Sequence, residues 1–321
     1  MSTSAKVTAR QRIENLLDDN SFVEIGAYVK ARNTDFNIQA KDTPSDGVIT
    51  GYGVINGGLV YVYSQDASVL GGSVGEMHAK KIASLYDMAM KTGSPVIGLI
   101  DSTGLRLQES VDGLNAFGQI YMKQSLASGV IPTVTAIFGN CGGGLSIVAG
   151  LSDFTFMEVE NAQLFVNSPN AITENRKEIC DNASAKFQSE EAGNVDFVGT
   201  EAEVIEGIRN LVSVLPSNNE DEASDLECYD DLNRAAEGIE NCGEDTLLAL
   251  ENISDDGFII EAKRNYAPEM VTAFIKLNGA TVGAVANRTK VYDDDMNVTL
   301  DEEQNSMLSL QLRDATKLLN L

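Results

Sequence analysis

Three glycine-bearing turns hold the residues best suited to chemistry. Cys141-Gly142-Gly143-Gly144 follows an apolar stretch, Thr133 to Phe138, and precedes a run of small residues, Leu145 to Gly150. Asp101-Ser102-Thr103-Gly104-Leu105-Arg106 follows a second apolar stretch, Val96 to Ile100. Gly71-Gly72-Ser73-Val74-Gly75-Glu76 lies upstream of both. Glycine at a strand-to-helix turn lets backbone N–H groups face a cavity with no side chain in the way. The first N–H groups of a helix have no intrahelical acceptor, and the helix dipole favours negative charge there. The guest that such a turn suits is a buried oxyanion.

Side-chain chemistry has fewer candidates. His78 is the only histidine, so a Ser-His-Asp arrangement has a single possible base and no convincing serine partner. Cys141 has no base near it in sequence and reads as a non-nucleophile. The four cysteines, Cys141, Cys180, Cys228 and Cys242, form no C-x-x-C pair, which argues against a zinc ribbon; no metal site is expected. The glycine spacing is not G-x-G-x-x-G, and no G-K-[ST] is present for a phosphate loop.

The elements that must position these turns follow from periodicity. Residues 6 to 18 read as an amphipathic helix with Val7, Ile13, Leu16 and Leu17 on one side. Val48 to Val54 and Leu59 to Tyr63 alternate as strands about Asn56-Gly57-Gly58, a hairpin signal. Ser73 followed by Glu76 has the form of a capping box, predicting a helix from there to about Lys91 that Gly93 terminates. A helix from about Glu109 to Ser128 would bury Leu114, Phe117, Ile120, Tyr121 and Leu126. Asp153 to Met157 and Leu164 to Ser168 read as strands, and Val204 to Val214 as a helix. Val271 to Leu277 and Ala280 to Ala286 form a second hairpin around Asn278-Gly279, and Glu302 to Leu319 reads as a helix. Ile253 to Glu261 echoes Asn20 to Glu24, a weak internal repeat.

The chain has 321 residues and a formal net charge of -25. That charge argues against direct contact with nucleic acid or an anionic membrane. Residues 220 to 256 carry a long acidic run, read as a solvated surface, with halophilic or partner-steering roles as the alternative. No apolar run reaches the roughly 18 residues of a membrane span. Without a secretory pattern, scattered cysteines read as reduced thiols, and a cytoplasmic location is expected.

Taken together, these motifs resemble the N-terminal half of a biotin-dependent acyl-CoA carboxyltransferase, of the propionyl-CoA carboxylase beta and methylmalonyl-CoA decarboxylase alpha type. The similarity runs from about residue 9 to about residue 290. It also draws on Asp46-Gly47-Val48-Ile49, Ser64-Gln65-Asp66 and Leu215-Pro216-Ser217. Thr103 and Leu105 depart from the family's usual Asp-Ser-Gly-Gly-Ala-Arg, and Thr173 to Arg176 leads into a segment lacking a usual glycine pair and histidine. The resemblance implies an α/β crotonase (ClpP-like) spiral of ββα units over residues 1–250. Residues 251–321 would open a second crotonase-like half, completed by a partner subunit.

What the resemblance implies for function is equally concrete. Gly143 and Gly144, with the Gly104 loop, would form a backbone oxyanion hole. Gly71, Gly72, Ser73, Asp101, Ser102, Arg106 and Gly142 would contact the acyl-CoA. Arg106 has two open roles, a partner for a CoA phosphate or a surface ion pair with Glu109. The glycine turn at 71–75 has the alternative of a plain helix start, and His78 is structural or a polar contact on the CoA side. The cofactor would be biotin, as carboxybiotin on a carrier protein, with a coenzyme A thioester as substrate. Partners would be a second carboxyltransferase half-subunit and the biotin carboxyl carrier protein in a hetero-oligomer. The alternatives are a non-catalytic assembly or regulatory subunit, and an acyl-CoA hydratase or isomerase using a carboxylate such as Glu109.

Overall fold

In the computed structural model the apolar stretches that flank the glycine turns become neighbouring parallel strands. The structure describes residues 7–33, 42–168, 181–221, 228, 230–231, 233–236, 242–243, 245–292 and 298–300. The elements run α1 (Ala9–Leu16), β1 (Val23–Ile25), β2 (Val48–Ile55), β3 (Gly58–Gln65), α2 (Glu76–Thr92), β4 (Val96–Ser102), α3 (Ser110–Ala127), β5 (Thr133–Gly142) and α4 (Leu145–Leu151). Then come β6 (Phe154–Glu158), β7 (Gln163–Phe165), α5 (Ala185–Glu190), β8 (Phe197–Gly199), α6 (Glu201–Val214), α7 (Thr246–Ile253), β9 (Ile259–Ala262), β10 (Met270–Leu277), β11 (Ala280–Asn287), β12 (Val291–Tyr292) and β13 (Val298–Leu300).

The chain divides into two compact units, Met1–Gln188 with Phe197–Asp221, and Ser189–Asp196 with Glu222–Leu321. The boundary expected at residue 250 falls inside α7 of the second unit.

The first unit is built on one sheet in the order β1-β2-β3-β4-β5-β6-β8, with β7 also joined to β5. The pairs β1-β2 and β2-β3 are antiparallel, and those from β3 to β8 are parallel. Every residue of β4 is buried, as a parallel strand covered on both faces requires. β5 is long enough for two partners on one side. Val134 to Ile137 pair with β6, and Asn140 to Gly142 pair with β7. A register shift after Ile100 brings Ser102 opposite Cys141, so the loops leaving β4 and β5 emerge side by side.

Most predicted elements are present, with informative differences. The helix after the first glycine turn starts at Glu76 with Gly75 as its N-cap, not at Ser73, and Gly93 ends it at φ +63. In α3 the buried side consists of Gly113, Ala116, Phe117, Ile120, Gln124 and Ala127. Leu114 and Leu126, expected in the core, are 60% and 57% exposed. Phe117 and Ile120 supply the large apolar groups of the buried side, and the two leucines are turned outward. The predicted helix at 302–319 and the 169–176 segment lie outside the described residues.

In the second unit, β9, β10 and β11 form an antiparallel sheet in the order β11-β10-β9. Its connectivity matches that of β1, β2 and β3. Both hairpins turn through an Asn-Gly pair with left-handed backbone, Asn56-Gly57 and Asn278-Gly279.

A buried arginine ties the first unit's outer helices to the sheet. Arg12 of α1, 3% exposed, donates from Nε to Glu201 Oε1 of α6 at 2.8 Å. Its Nη1 lies 3.4 Å from Asp101 Oδ2 at the end of β4, and its guanidinium sits 4.6 Å from the Phe138 ring centroid. Removing one partner of such a pair leaves a buried charge uncompensated. Arg12→Ala is expected to cost about 3 kcal/mol in urea unfolding. The double variant with Asp101→Asn should cost less than the sum of the two singles, because both break the same contact.

Candidate functional site

The three glycine turns converge where β3, β4 and β5 end. Backbone bonds join the first two. Thr103 N–H donates to Gly71 O at 2.9 Å, Val74 N–H to Gly104 O at 2.8 Å, and Arg106 N–H to Val74 O at 3.0 Å. Ser102 Oγ donates to Gly72 O at 2.7 Å and accepts from Gly104 N–H at 3.1 Å. The second and third turns also meet, since a Cβ on Gly104 would lie 3.1 Å from Gly142 O.

The third turn leaves β5 through Gly143, whose φ of +63 favours glycine. A Cβ there would meet nothing within 4 Å among the described residues. Its carbonyls are held from within the unit. Ser146 Oγ donates to Gly143 O at 2.7 Å, and the Tyr121 hydroxyl of α3 donates to Gly144 O.

The backbone donors differ from the sequence expectation. Gly143 N–H donates to Phe165 O of β7 at 3.0 Å, and Gly104 N–H is engaged by Ser102. Neither is open to a ligand here. The N–H groups of Gly144 and Leu105 donate to no acceptor among the described residues. Gly144 is one of the two donors expected in its turn, and Leu105 lies one residue beyond the expected Gly104. The long β5, which reaches β7, accounts for the shift at Gly143.

Beneath the loops lies a buried ionic cluster. Arg106, 1% exposed, donates from Nη1 to Asp46 Oδ1 at 2.6 Å and to Glu109 Oε1 at 2.9 Å. Its Nε and Nη2 donate to Ser73 Oγ at 3.2 Å and Ser73 O at 2.6 Å. Both roles considered for Arg106 are thereby corrected: its pair with Glu109 is not at the surface, and its guanidinium is engaged inside the protein rather than presented to a phosphate.

The same two carboxylates cap α2. Glu76 N–H donates to Glu109 Oε2 at 2.6 Å, and His78 N–H donates to Asp46 Oδ2 at 2.8 Å. This replaces the capping box expected of Ser73 and Glu76, because Ser73 Oγ is turned to Arg106. Gly75 is required by close approach, since a Cβ there would lie 2.3 Å from Glu109 Oε1 and 2.5 Å from Arg106 Nη1.

Asp46 itself has a left-handed backbone, φ +50, as does Ser45 at +56. Lys81 holds this turn, donating from Nζ to Ser45 O at 2.9 Å, to Ser45 Oγ at 2.6 Å and to Val48 O. Burial lowers the Lys81 amine to about 8. Burial also raises the Asp46 carboxyl, with the Arg106 guanidinium opposing it.

His78 is structural. It is fully buried, with Nδ1 3.0 Å from Asp46 O and Nε2 3.1 Å from Gln65 Nε2. The carbonyl fixes the proton on Nδ1, so Nε2 accepts from the amide. Burial lowers its pKa to about 3. Cys141 is buried too, and burial raises its thiol, which agrees with a non-nucleophile.

The titratable side chains at the end of β4 and on the loop after it, Asp101, Arg106 and Glu109, are all buried, and Glu76 at the end of the first turn is half-buried. Asp101 meets Arg12, and Ser102 joins the two loops. They build the site from within. What the loops present is backbone, suited to receiving developing negative charge on an oxygen. Among the described residues no His, Cys, Asp and Glu group could hold a metal ion, and no helix is long and apolar enough to cross a membrane.

Sequence reasoning missed Asp46, Glu109 as a cap, Tyr121 and Leu105. Asp46 gave a signal as the first residue of Asp46-Gly47, and Glu109 as a candidate ion partner of Arg106.

Comparison with known proteins places this architecture. Residues 2–306 match the carboxyl transferase domain. The chain belongs to that family. It is 39% identical over 299 residues to the methylmalonyl-CoA decarboxylase subunit alpha of Propionigenium modestum, covering 90% of this chain and 58% of that protein. Identity is 38% over 297 residues to the propionyl-CoA carboxylase beta chain of Roseobacter denitrificans, covering 89% and 58%. The transcarboxylase 12S structure with hydrolysed methylmalonyl-coenzyme A bound superposes with a TM-score of 0.82 at 36% identity, covering 88% of this chain and 56% of that one. The chain thus spans somewhat over half the length of these relatives, and its fold is the crotonase-like α/β fold of that transcarboxylase.

The buried histidine gives a pH prediction. A base whose pKa is lowered in the folded state contributes stability that is present above its unfolded pKa of 6.5 and lost as pH falls toward the folded value of about 3. Between pH 7 and pH 5 the wild type should lose about 2 kcal/mol more in urea unfolding than His78→Gln, at about 1.4 kcal/mol per unit. Equal losses would contradict the assignment of His78 as a buried neutral group.

Proposed function

We propose that this chain is the acyl-CoA-binding half of a biotin-dependent carboxyltransferase, moving a carboxyl group between carboxybiotin and the α-carbon of a short acyl-CoA. Residues 251–321 open a second crotonase-like half, and catalysis needs that half completed, by a second subunit or by further chain. A biotin carboxyl carrier protein is the other partner. The relatives' names support both directions, carboxylation in one and decarboxylation in the other.

The observation that carries this reading is a site whose described residues offer backbone donors and no exposed side-chain base at the loops after β4 and β5. A hydratase or isomerase needs a carboxylate aimed at the substrate carbon. Glu109, the candidate, has no exposed side chain and is engaged by Arg106 and the Glu76 N–H. Carboxyltransfer suits such a site, because carboxybiotin, when docked, supplies both the CO2 and the basic nitrogen that takes the α-proton.

This chain's own residues then bind and polarise. The Gly142–Gly144 turn receives the thioester. The N–H groups of Gly144 and Leu105 donate to its oxygen, most strongly as charge develops there on loss of the α-proton. The 71–76 and 101–106 loops form the wall beside it. No residue of this chain is assigned to biotin.

The test is carboxyl transfer from methylmalonyl-CoA to free biotin, with propionyl-CoA and carboxybiotin as products. Activity is expected when this chain is assembled with its second half and not from this chain alone; turnover by this chain alone would overturn the half-site reading. Gly143→Ala places a methyl in the open space beside the turn. In the assembly it should lower kcat/KM about 100-fold while costing about 1–2 kcal/mol of stability, the penalty of a Cβ in left-handed backbone. Wild-type kinetics from that variant would place the thioester elsewhere.

A further inference from the structure

The first turn of α2 is the position in the site where a bound anion would be expected, since its unpaired N–H groups face the glycine loop. The structure fills that position with protein. Glu76 N–H and His78 N–H already donate to Glu109 and Asp46, and both carboxylates are wholly buried. These two N–H groups are therefore closed to a ligand.

The capping arrangement has a second side. Arg106 bridges the same two carboxylates and reaches Ser73 through both Oγ and O. Arg106 and Glu109 belong to the loop after β4, Ser73 to the first glycine turn, and Asp46 to the turn before β2. The loop that presents Leu105 N–H is thus located through the adjacent Arg106 by two carboxylates, Glu109 four residues along and Asp46 in a separate turn.

We propose that Asp46 and Glu109 are positioning residues for the acyl-CoA site. Bridged by Arg106, they lock the start of α2 to the loop after β4 and fix where Leu105 presents its backbone relative to the Gly142–Gly144 turn. This rests on the reading that the site takes an acyl-CoA. Neither carboxylate touches the ligand. A shift of the loop by an ångström is sufficient to misplace the donor, and misplacement on that scale costs up to about 100-fold in rate.

The experiment is steady-state transfer from methylmalonyl-CoA to free biotin by the complete carboxyltransferase assembly, with Glu109→Ala, Glu109→Gln and Asp46→Asn. Glu109→Gln still accepts from Glu76 N–H but loses its charge against Arg106. Glu109→Ala should raise the methylmalonyl-CoA KM or lower kcat/KM for it about tenfold. Glu109→Gln and Asp46→Asn should show smaller shifts in the same direction. In all three the KM for biotin should stay within about twofold, because a displaced acyl-CoA loop changes one substrate's binding. Loss of folded enzyme lowers the apparent kcat for both substrates and leaves each KM in place, so the split separates positioning from stability. If Glu109→Ala does not fold, the other two variants carry the test. Unchanged methylmalonyl-CoA kinetics in folded variants, or equal KM changes for both substrates, would overturn the positioning role alone. A wild-type assembly that neither binds methylmalonyl-CoA nor transfers its carboxyl would overturn the acyl-CoA reading and this role together.

Discussion

One buried guanidinium sets the geometry of the site. Arg106 is 1% exposed and contacts two carboxylates that are themselves out of water. Charges in such a place persist only when each is paired and its remaining hydrogen-bonding capacity is met. The turn at 44–47, the glycine loop at 71–76 and the loop at 101–109 must therefore arrive together, since any one missing leaves the others charged and unpaired. Helix α2 is part of the same agreement, because its first N–H groups complete the coordination of both carboxylates. Lys81 meets the remaining demand by holding Ser45 and Val48, which keeps Asp46 in its left-handed backbone.

At the end of β4 and on the loop after it, the titratable side chains Asp101, Arg106 and Glu109 are all buried. The charged side chains of the 101–109 loop point inward and stabilise the frame, and the turn after β5 offers peptide backbone. That division suits a reaction in which the proton-accepting group arrives with the carboxyl donor. The protein then needs only to hold a thioester oxygen against fixed N–H dipoles, which require no reorganisation as charge develops. Tyr121 and Ser146 serve the same end by fixing the carbonyls of the turn, so that its N–H groups keep one direction.

The turns, strands and hairpins were legible because their signals are local. Val96 to Ile100 and Thr133 to Phe138 are apolar runs bounded by glycine, and Asn56-Gly57 and Asn278-Gly279 need no distant partner to form a turn. The cluster was not legible, because its partners are 60 and 33 residues apart in the chain. Ser73 and Glu76 imitate a capping box at short range, while the capping groups come from elsewhere. Arg106 beside Glu109 reads as a surface pair until Asp46 is brought over it. Leu114 and Leu126 misled for a related reason, since which stripe of α3 faces inward is set by its partners, and Ala116, Phe117, Ile120 and Gln124 lie on it instead. Gly144 was identified correctly as a turn residue. That Gly143 N–H is taken by Phe165 depends on how far β5 runs beside β7, which no local pattern encodes.

The central claim is that the loops after β4 and β5 present Leu105 and Gly144 N–H to an acyl-CoA thioester. Amide hydrogen exchange of this chain, with and without saturating methylmalonyl-CoA, tests it directly. The account predicts slowed exchange confined mainly to peptides covering 103–106 and 143–147, with the start of α2 already protected in the free protein by Asp46 and Glu109. Protection that appears at the α2 start and leaves 143–147 unchanged would contradict it.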